Sequence, residues 1–455
     1  MNTLHKSHGL EGVNMLADKF LLFLLVFFSV ISPKTFKDAL GNNAIWIYPQ
    51  YVFGAIILLR MMIKKQFKIS FTKVNIFFML LVLSYFSSMA IAMVVNTSYY
   101  RGGFNTTLKV LLDFIFIVLV INNLYSDMIK ALLNSIIITA VMEVLIELYG
   151  IFVFYNLLPA TKVFKAYCIN CISKQQFLYF YNVSFQLPRW GATFPESQFL
   201  SMFLLMAYIA AFIMKIYCEN TFLKTNLNKK VSFLNKYLFF NKEFVINKYS
   251  AVEKLFFCAI MYNFSKAVII ALLIFIFLIK IEKVNVKLKK RVGIGVAIFI
   301  GILLYLLLYP ELSKLNSADG AKFLSIDNAS SFLGRIIPVK VGLELMCKNV
   351  FNFIFGLGPR QFGICVRQAG ISPNYNMDTS VVSMFQMLLD VGFLGISIFS
   401  LFIFNIFKGI KNNKVLQYAF LSVFIANFTN PEYLSTVFLI YIFTLVLLKN
   451  INNEM

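Results

Sequence analysis

Seven of the 42 basic residues in this chain are arginine: Arg60, Arg101, Arg189, Arg291, Arg335, Arg360 and Arg367. Lysine is therefore the default cation, and arginine marks positions where a point charge would not serve. A guanidinium carries five donors in a planar fork and can grip a phosphate or pyrophosphate at two points, which an ammonium cannot. Five of the seven (Arg101, Arg189, Arg335, Arg360 and Arg367) fall in segments that hydropathy places outside a membrane, against the usual topological bias of basic residues. Any one of them alone could equally anchor to lipid headgroups or pair with a loop carboxylate. Their clustering in two long loops predicts an anionic substrate on that face.

Carboxylates are the natural complement to such cations in group transfer. Glu196 follows Arg189 in RWGATFPES and directly precedes an apolar helix expected from Ser197, so it stands at a helix N-terminus. There it could accept a proton from a hydroxyl, or simply cap the helix. Asp378, at the end of the second loop, is a weaker candidate base and a candidate substrate contact. Within the apolar segments, Glu143 and Glu147 share one helical face, Lys109 and Asp113 can pair at i, i+4, and Asp390 precedes Gly392 and Gly395. Ionisable groups at that depth are functional by default, although a polar contact between helices explains Lys109 and Asp113 equally well.

Both histidines, His5 and His8, lie ahead of the first apolar run, which leaves no imidazole elsewhere and argues against zinc chemistry. Cys168 and Cys171 form a CxxC in one loop, and Cys347 and Cys365 fall in the other. Disulfides and free thiols are both open for them, and neither pair is expected to be catalytic.

The elements that must position these residues are set by hydropathy. Soluble chains are about 45–50% apolar and about 25% charged, whereas this one of 455 residues is 60% hydrophobic and 14% charged, with a mean hydropathy of +0.78. Only lipid solvates that much apolar surface. A formal charge of +22 would suggest nucleic acid in a soluble protein; here it asks which side of the membrane the Lys and Arg occupy.

Apolar runs predict spans near 20–33, 44–63, 74–95, 104–121, 131–156, 197–217, 254–264, 267–281, 292–309, 380–407, 415–428 and 433–448. The first is followed by Pro33 and Lys34 without a small-x-small cleavage site, so it reads as a span rather than a signal peptide. Dense basic stretches from Arg60, over 218–253, over 280–291 and over 408–414 mark the cytoplasmic side. Residues 255–279 are expected to form a tight hairpin with Lys266 at its outer tip, since one continuous helix would put 280–291 outside.

The fold class expected is an all-α polytopic membrane protein of about 12 transmembrane helices with two extended extracytoplasmic loops. Residues 1–156 hold spans one to five, 157–196 the first large loop, 197–309 spans six to nine, 310–379 the second large loop, and 380–455 spans ten to twelve. In the second loop Lys340, Glu344 and Lys348 recur every four residues, the polar stripe of a helix lying along the membrane surface.

Three segments resemble the O-antigen polymerase (Wzy-type) family, within the wider O-antigen ligase and polymerase superfamily. RWGATFPESQFLSMFLL is similar to the family's Arg-x-x-Gly-x-Phe-x-Pro segment; SSFLGRIIPVKVGLELMCKNVFNFIFGLGPRQFG to its Gly-Arg helix and Gly-x-Gly turn; and VVSMFQMLLDVGFLGISIF to its acidic-x-Gly-x-x-Gly helix. NFSKAVIIALLIF is a fainter match to a Ser-Arg hairpin, with Lys266 in the arginine position.

The resemblance covers the chain from about residue 185. It implies about a dozen helices, an active site at the outer membrane face, and a glycosyltransferase that moves a glycan from undecaprenyl pyrophosphate to a lipid-linked repeat unit. On this reading Arg189, Arg335 and Glu196 are catalytic, Arg360, Arg367, Lys266 and Asp378 bind substrate, and no cofactor or metal is needed.

The expected partners are the undecaprenyl-pyrophosphate-linked oligosaccharide, membrane lipid and, as a further candidate, a chain-length regulator protein; nucleic acid is not expected. The location implied is a bacterial inner membrane, with both termini cytoplasmic. The ligase branch uses a histidine near the position of Val381, and none is available, so ligase is the alternative rather than the first reading. A flippase-type transporter is the alternative of a different class, disfavoured by arginines placed in long loops rather than along a cavity.

Overall fold

Helices form where the apolar runs predict them, because in an apolar medium only a helix satisfies every backbone donor and acceptor within one segment. The computed structural model describes residues 2–30, 48–68, 72–95, 101–155, 157–159, 176–177, 188–189, 192–194, 197–227, 234–263, 265–282, 333–370, 383–428 and 434–451. Eleven of the twelve predicted segments fall on helices; the twelfth, 292–309, lies outside the described residues.

The elements run in this order: α1 (Asn2–Val30), α2 (Pro49–Ile63), α3 (Lys73–Val95), and α4, which passes from Arg101–Asp113 through a π-helical turn (Phe114–Val118) into Leu119–Asn122. Next come α5 (Ser126–Phe154), α6 (Ser197–Leu227), α7 (Leu234–Asn263) and α8 (Lys266–Glu282). They are followed by α9 (Leu333–Cys347), α10 (Val350–Phe355), α11 (Phe362–Gln368), α12 (Ser383–Gly409), α13 (Lys414–Phe428) and α14 (Thr436–Ile451). Among the described residues the strands form a two-residue antiparallel ladder, β1 (Gln176–Phe177) with β2 (Pro188–Arg189).

Among the described residues five helical segments are long and apolar enough to cross a membrane: Lys73–Val95, Gly103–Asn122, Ser126–Phe154, Gln198–Asn220 and Met384–Gly409. The helices reach beyond the apolar runs in two places. In the basic stretch 218–253, α6 continues to Leu227 and α7 begins at Leu234. In the second loop, α9, α10 and α11 occupy much of 333–368, in keeping with the helix expected from its polar stripe. The break between α7 and α8 falls at Asn263–Lys266, where the hairpin was expected. Residues Lys340 and Glu344 of α9 are exposed and Gly342, Leu345 and Met346 buried, as the polar stripe predicts, while Lys348 follows just beyond the helix.

Burial separates the helices into interior and peripheral. The apolar window of α6 is 72% buried, against 44% for α3, α5 and α12. Nearly every side chain of α14 from Phe438 to Leu445 is buried, so it is a central post. The peripheral helices carry large apolar residues outward, such as Leu145 at 59% and Phe404 at 61% exposure. A helix apolar all round with half its surface uncovered is a lipid-facing helix.

Four of the five ion pairs among the described residues lie at one end of the bundle. Asp18 pairs with Arg60 (2.7 Å) and Lys64, Lys130 with Asp127 (3.3 Å), and Lys215 with Glu253 (3.4 Å). The Lys68 N–H donates to Asn123, and Asn122 to Asn75, so the end of α2, the start of α3 and the end of α4 share that same basic end. The opposite end gathers the starts of α2, α4 and α14 with the end of α3.

At that opposite half α12 is broken. Gly392 has φ 67° and ψ −168°, a combination open essentially to glycine. The break orphans two carbonyls inside an apolar bundle, where each would cost about 1–3 kcal/mol unpaired. Both are taken: the Leu357 N–H donates to the Leu389 carbonyl at 2.7 Å, and the Ser88 hydroxyl donates to the Asp390 carbonyl. A Cβ on Gly392 would lie 2.3 Å from the Gly356 nitrogen and 2.4 Å from the Ile354 oxygen. Gly392→Ala is therefore expected to lose about 3 kcal/mol or more, read as a large drop in apparent Tm of the detergent-solubilised chain, whereas Gly409→Ala, with open space around its Cβ, should leave Tm unchanged.

Candidate functional site

The sequence-selected residues distribute as follows. Arg189 lies in β2, paired in register with Gln176; Arg335 lies in the first turn of α9; Lys266 is the first residue of α8. Arg360 occupies an exposed turn between α10 and α11, and Arg367 is exposed near the end of α11. Glu196 and Asp378 lie outside the described residues.

The loop that carries Arg189 is held from inside the bundle. Ala192, Thr193 and Phe194 are all buried, and Thr193 donates twice to Glu143 of α5: from its N–H to Oε2 at 3.1 Å and from its hydroxyl to Oε1 at 2.7 Å. Burial of a carboxyl group is costly unless its oxygens find donors, and a tight turn that offers a backbone and a hydroxyl donor from one residue occupies both oxygens of Glu143. Phe194 stacks obliquely against Phe203 of α6, which closes the loop onto the helix it leads into. One turn further along α5, Glu147 is buried against the Asn263 side chain at the end of α7. The shared face of Glu143 and Glu147 thus meets two of the family-like segments, the Arg-x-x-Gly loop and the Asn263–Lys266 junction.

The turn that carries Arg360 is held in the same manner. Asp390, 3% exposed, accepts the Arg360 backbone N–H on Oδ1 at 3.1 Å and the Gln386 amide on the same oxygen at 2.7 Å. The Gly-x-Gly turn (Gly356 to Gly358) lies directly on the Gly392 break, so two of the segments that carry the family resemblance form one packed unit. The start of α4 completes it: a Cβ on Gly103 would lie 2.6 Å from the Pro359 carbonyl oxygen and 3.0 Å from Gln361 Nε2. The helix that begins at Arg101 is thereby seated against the Pro359–Gln361 corner.

Lys109 and Asp113 pair at 2.9 Å, but Asp113 also accepts from Tyr51 (3.0 Å) and Thr436 (2.9 Å), and Lys109 reaches the Leu434 carbonyl at 3.3 Å. That network ties α2, α4 and α14 together just before the π turn, which is the structural reading of this pair. Cys347 and Cys365 are free thiols. Burial pushes the Cys365 thiol up to about 11, so it is not a nucleophile at neutral pH.

Sequence reasoning missed Thr193, Ser88, Tyr51, Thr436 and Gln386. Only Gln386 carried a local signal, its i, i+4 spacing to Asp390; the others are paired across long stretches of chain. Among the described residues no group of three or more His, Cys, Asp or Glu is placed to hold a metal ion. No protein-family model matches the chain, and no curated protein matches it.

Thr193→Val removes one of the two donors to a buried carboxylate and should cost about 1.5–3 kcal/mol, seen as a lowered Tm that Thr193→Ser restores. At pH 7–8 a hydrophilic maleimide should label the exposed Cys347 and spare Cys365, whose thiolate becomes appreciable only as the pH approaches 11.

Proposed function

We propose that this chain is a polysaccharide polymerase of the lipid-linked type, working at the outer face of a bacterial cytoplasmic membrane. The observation that carries the reading is the packed unit at the end of the bundle opposite the ion pairs of Arg60, Lys64, Lys130 and Lys215. There the Gly-x-Gly turn and the acidic-x-Gly-x-x-Gly helix meet and turn Arg360 outward. The basic end, with Arg60, Lys64, Lys130 and Lys215, is the cytoplasmic one on the positive-inside rule. Both termini then lie in the cytoplasm, about twelve spans cross the bilayer, and the segments 157–196 and 310–379 face outward.

In the reaction, a hydroxyl oxygen of the terminal sugar on an incoming repeat unit bonds to the anomeric carbon of the growing chain. The bond from that carbon to the undecaprenyl pyrophosphate oxygen breaks. The hydroxyl proton passes to Glu196, and the charge that develops on the leaving diphosphate is met by Arg189, Arg335 and Arg360, with Arg367, Lys266 and Asp378 lining the substrates. The leaving group is already activated, so orientation and charge stabilisation suffice and neither nucleotide nor metal is called for.

Arg189→Ala, Arg335→Ala or Arg360→Ala should leave single repeat units on the lipid carrier, with the protein still in the membrane. Long chains at normal abundance in all three would overturn the assignment. Deleting the gene separates the alternatives: outward-facing single units mark a polymerase, inward-facing units a flippase, and long polymer stranded on its carrier a ligase. Orientation is checked independently, since an impermeant maleimide should reach Cys347 from outside intact cells.

A further inference from the structure

Three residues in the five from Gly356 to Arg360 have positive φ: Gly356 at 87°, Gly358 at 100° and Arg360 at 56°. Two are glycine, for which a left-handed backbone is unstrained. At the third the chain carries its longest cation instead. Glycine there would give the same backbone without strain, so the strain is retained for the side chain. What holds Arg360 in place is its N–H on Asp390 Oδ1 at 3.1 Å, and what steadies Asp390 is the Gln386 amide at 2.7 Å. The carboxylate grips the backbone of an exposed arginine from beneath, in a helix anchored on its other side by Ser88. Asp390 itself is buried, at 3% exposure, whereas Arg360 is exposed.

We infer that Asp390 is a positioning residue, which locks the turn between α10 and α11 so that the Arg360 guanidinium is presented to the diphosphate of a lipid-linked substrate. The inference rests on the polymerase reading for its ligand, and on the Asp390 hydrogen bond for its geometry. Two-point recognition of a phosphate by a planar fork demands a fixed orientation, which an arginine on an untethered turn would not have.

The test uses the full chain in lipid nanodiscs, undecaprenyl pyrophosphate as probe, and hydrogen exchange of the peptide containing Gly356–Gln361. Asp390→Ala should speed that exchange and weaken binding about tenfold, close to the effect of Arg360→Ala. Asp390→Asn, whose Oδ1 still accepts, should keep slow exchange and bind within about threefold of the wild type. In the double variant Arg360→Ala with Asp390→Ala the losses should not add, because both act through one guanidinium. Gln386→Leu, which keeps the carboxylate but unsteadies it, should fall between, and it carries the test if Asp390→Ala fails to accumulate.

Fast exchange with unchanged affinity in Asp390→Ala would overturn the inference, as would additive losses or an Asp390→Asn variant as weak as Asp390→Ala. A wild-type chain that takes up no undecaprenyl pyrophosphate would remove the ligand and the polymerase reading together. The exchange rates would still report whether the carboxylate holds the turn, so the two failures read differently.

Discussion

Every backbone polar group inside an apolar bundle has to find a partner within the protein, and the architecture here follows from how that is managed where the chain departs from helix. At Gly392 the helix breaks, and the stranded carbonyls of Leu389 and Asp390 are taken up by the Leu357 N–H and the Ser88 hydroxyl. At Ala192–Phe194 a loop enters the bundle, and the Thr193 N–H is taken up by Glu143. Both places lie beside a segment bearing an arginine.

The buried carboxylates divide by what they touch. Glu143 and Asp390 each accept a backbone N–H from a segment that leads to an arginine, Thr193 near Arg189 in one case and Arg360 itself in the other. Asp113 accepts from side-chain donors, Tyr51, Lys109 and Thr436, and joins three helices. A charge in low dielectric is strongly oriented by its donors. A carboxylate used this way converts the weak local preferences of a turn into a fixed geometry, which side-chain packing alone would not impose on an exposed arginine.

The polarity of the bundle has a similar origin. Ion pairs such as Asp18 with Arg60 and Lys215 with Glu253 collect where α2 ends and α5 begins, and the glycine-rich turn with its arginine collects at the other end. The proposed chemistry needs that separation, because a diphosphate drawn to the dense lysines would be held on the wrong face.

The positions of the helices were legible in the sequence, because the transfer of apolar side chains into lipid is a local quantity that sums along the chain. The pairing of Lys109 with Asp113 and the shared face of Glu143 and Glu147 were legible for the same reason, since they depend only on helical repeat. In 218–253 the helices α6 and α7 continue beyond the apolar part, since the signal that ends a span is not the signal that ends a helix. What the tertiary structure alone decided is which donors occupy the carboxylates. Glu143 with Thr193 spans 50 residues of sequence, and Ser88 with Asp390 spans 302. No propensity or periodicity encodes those partners; they are selected by the packing of α3 on α12 and α5 on α6, which brings one donor within about 3 Å of each acceptor and excludes the water that would otherwise serve.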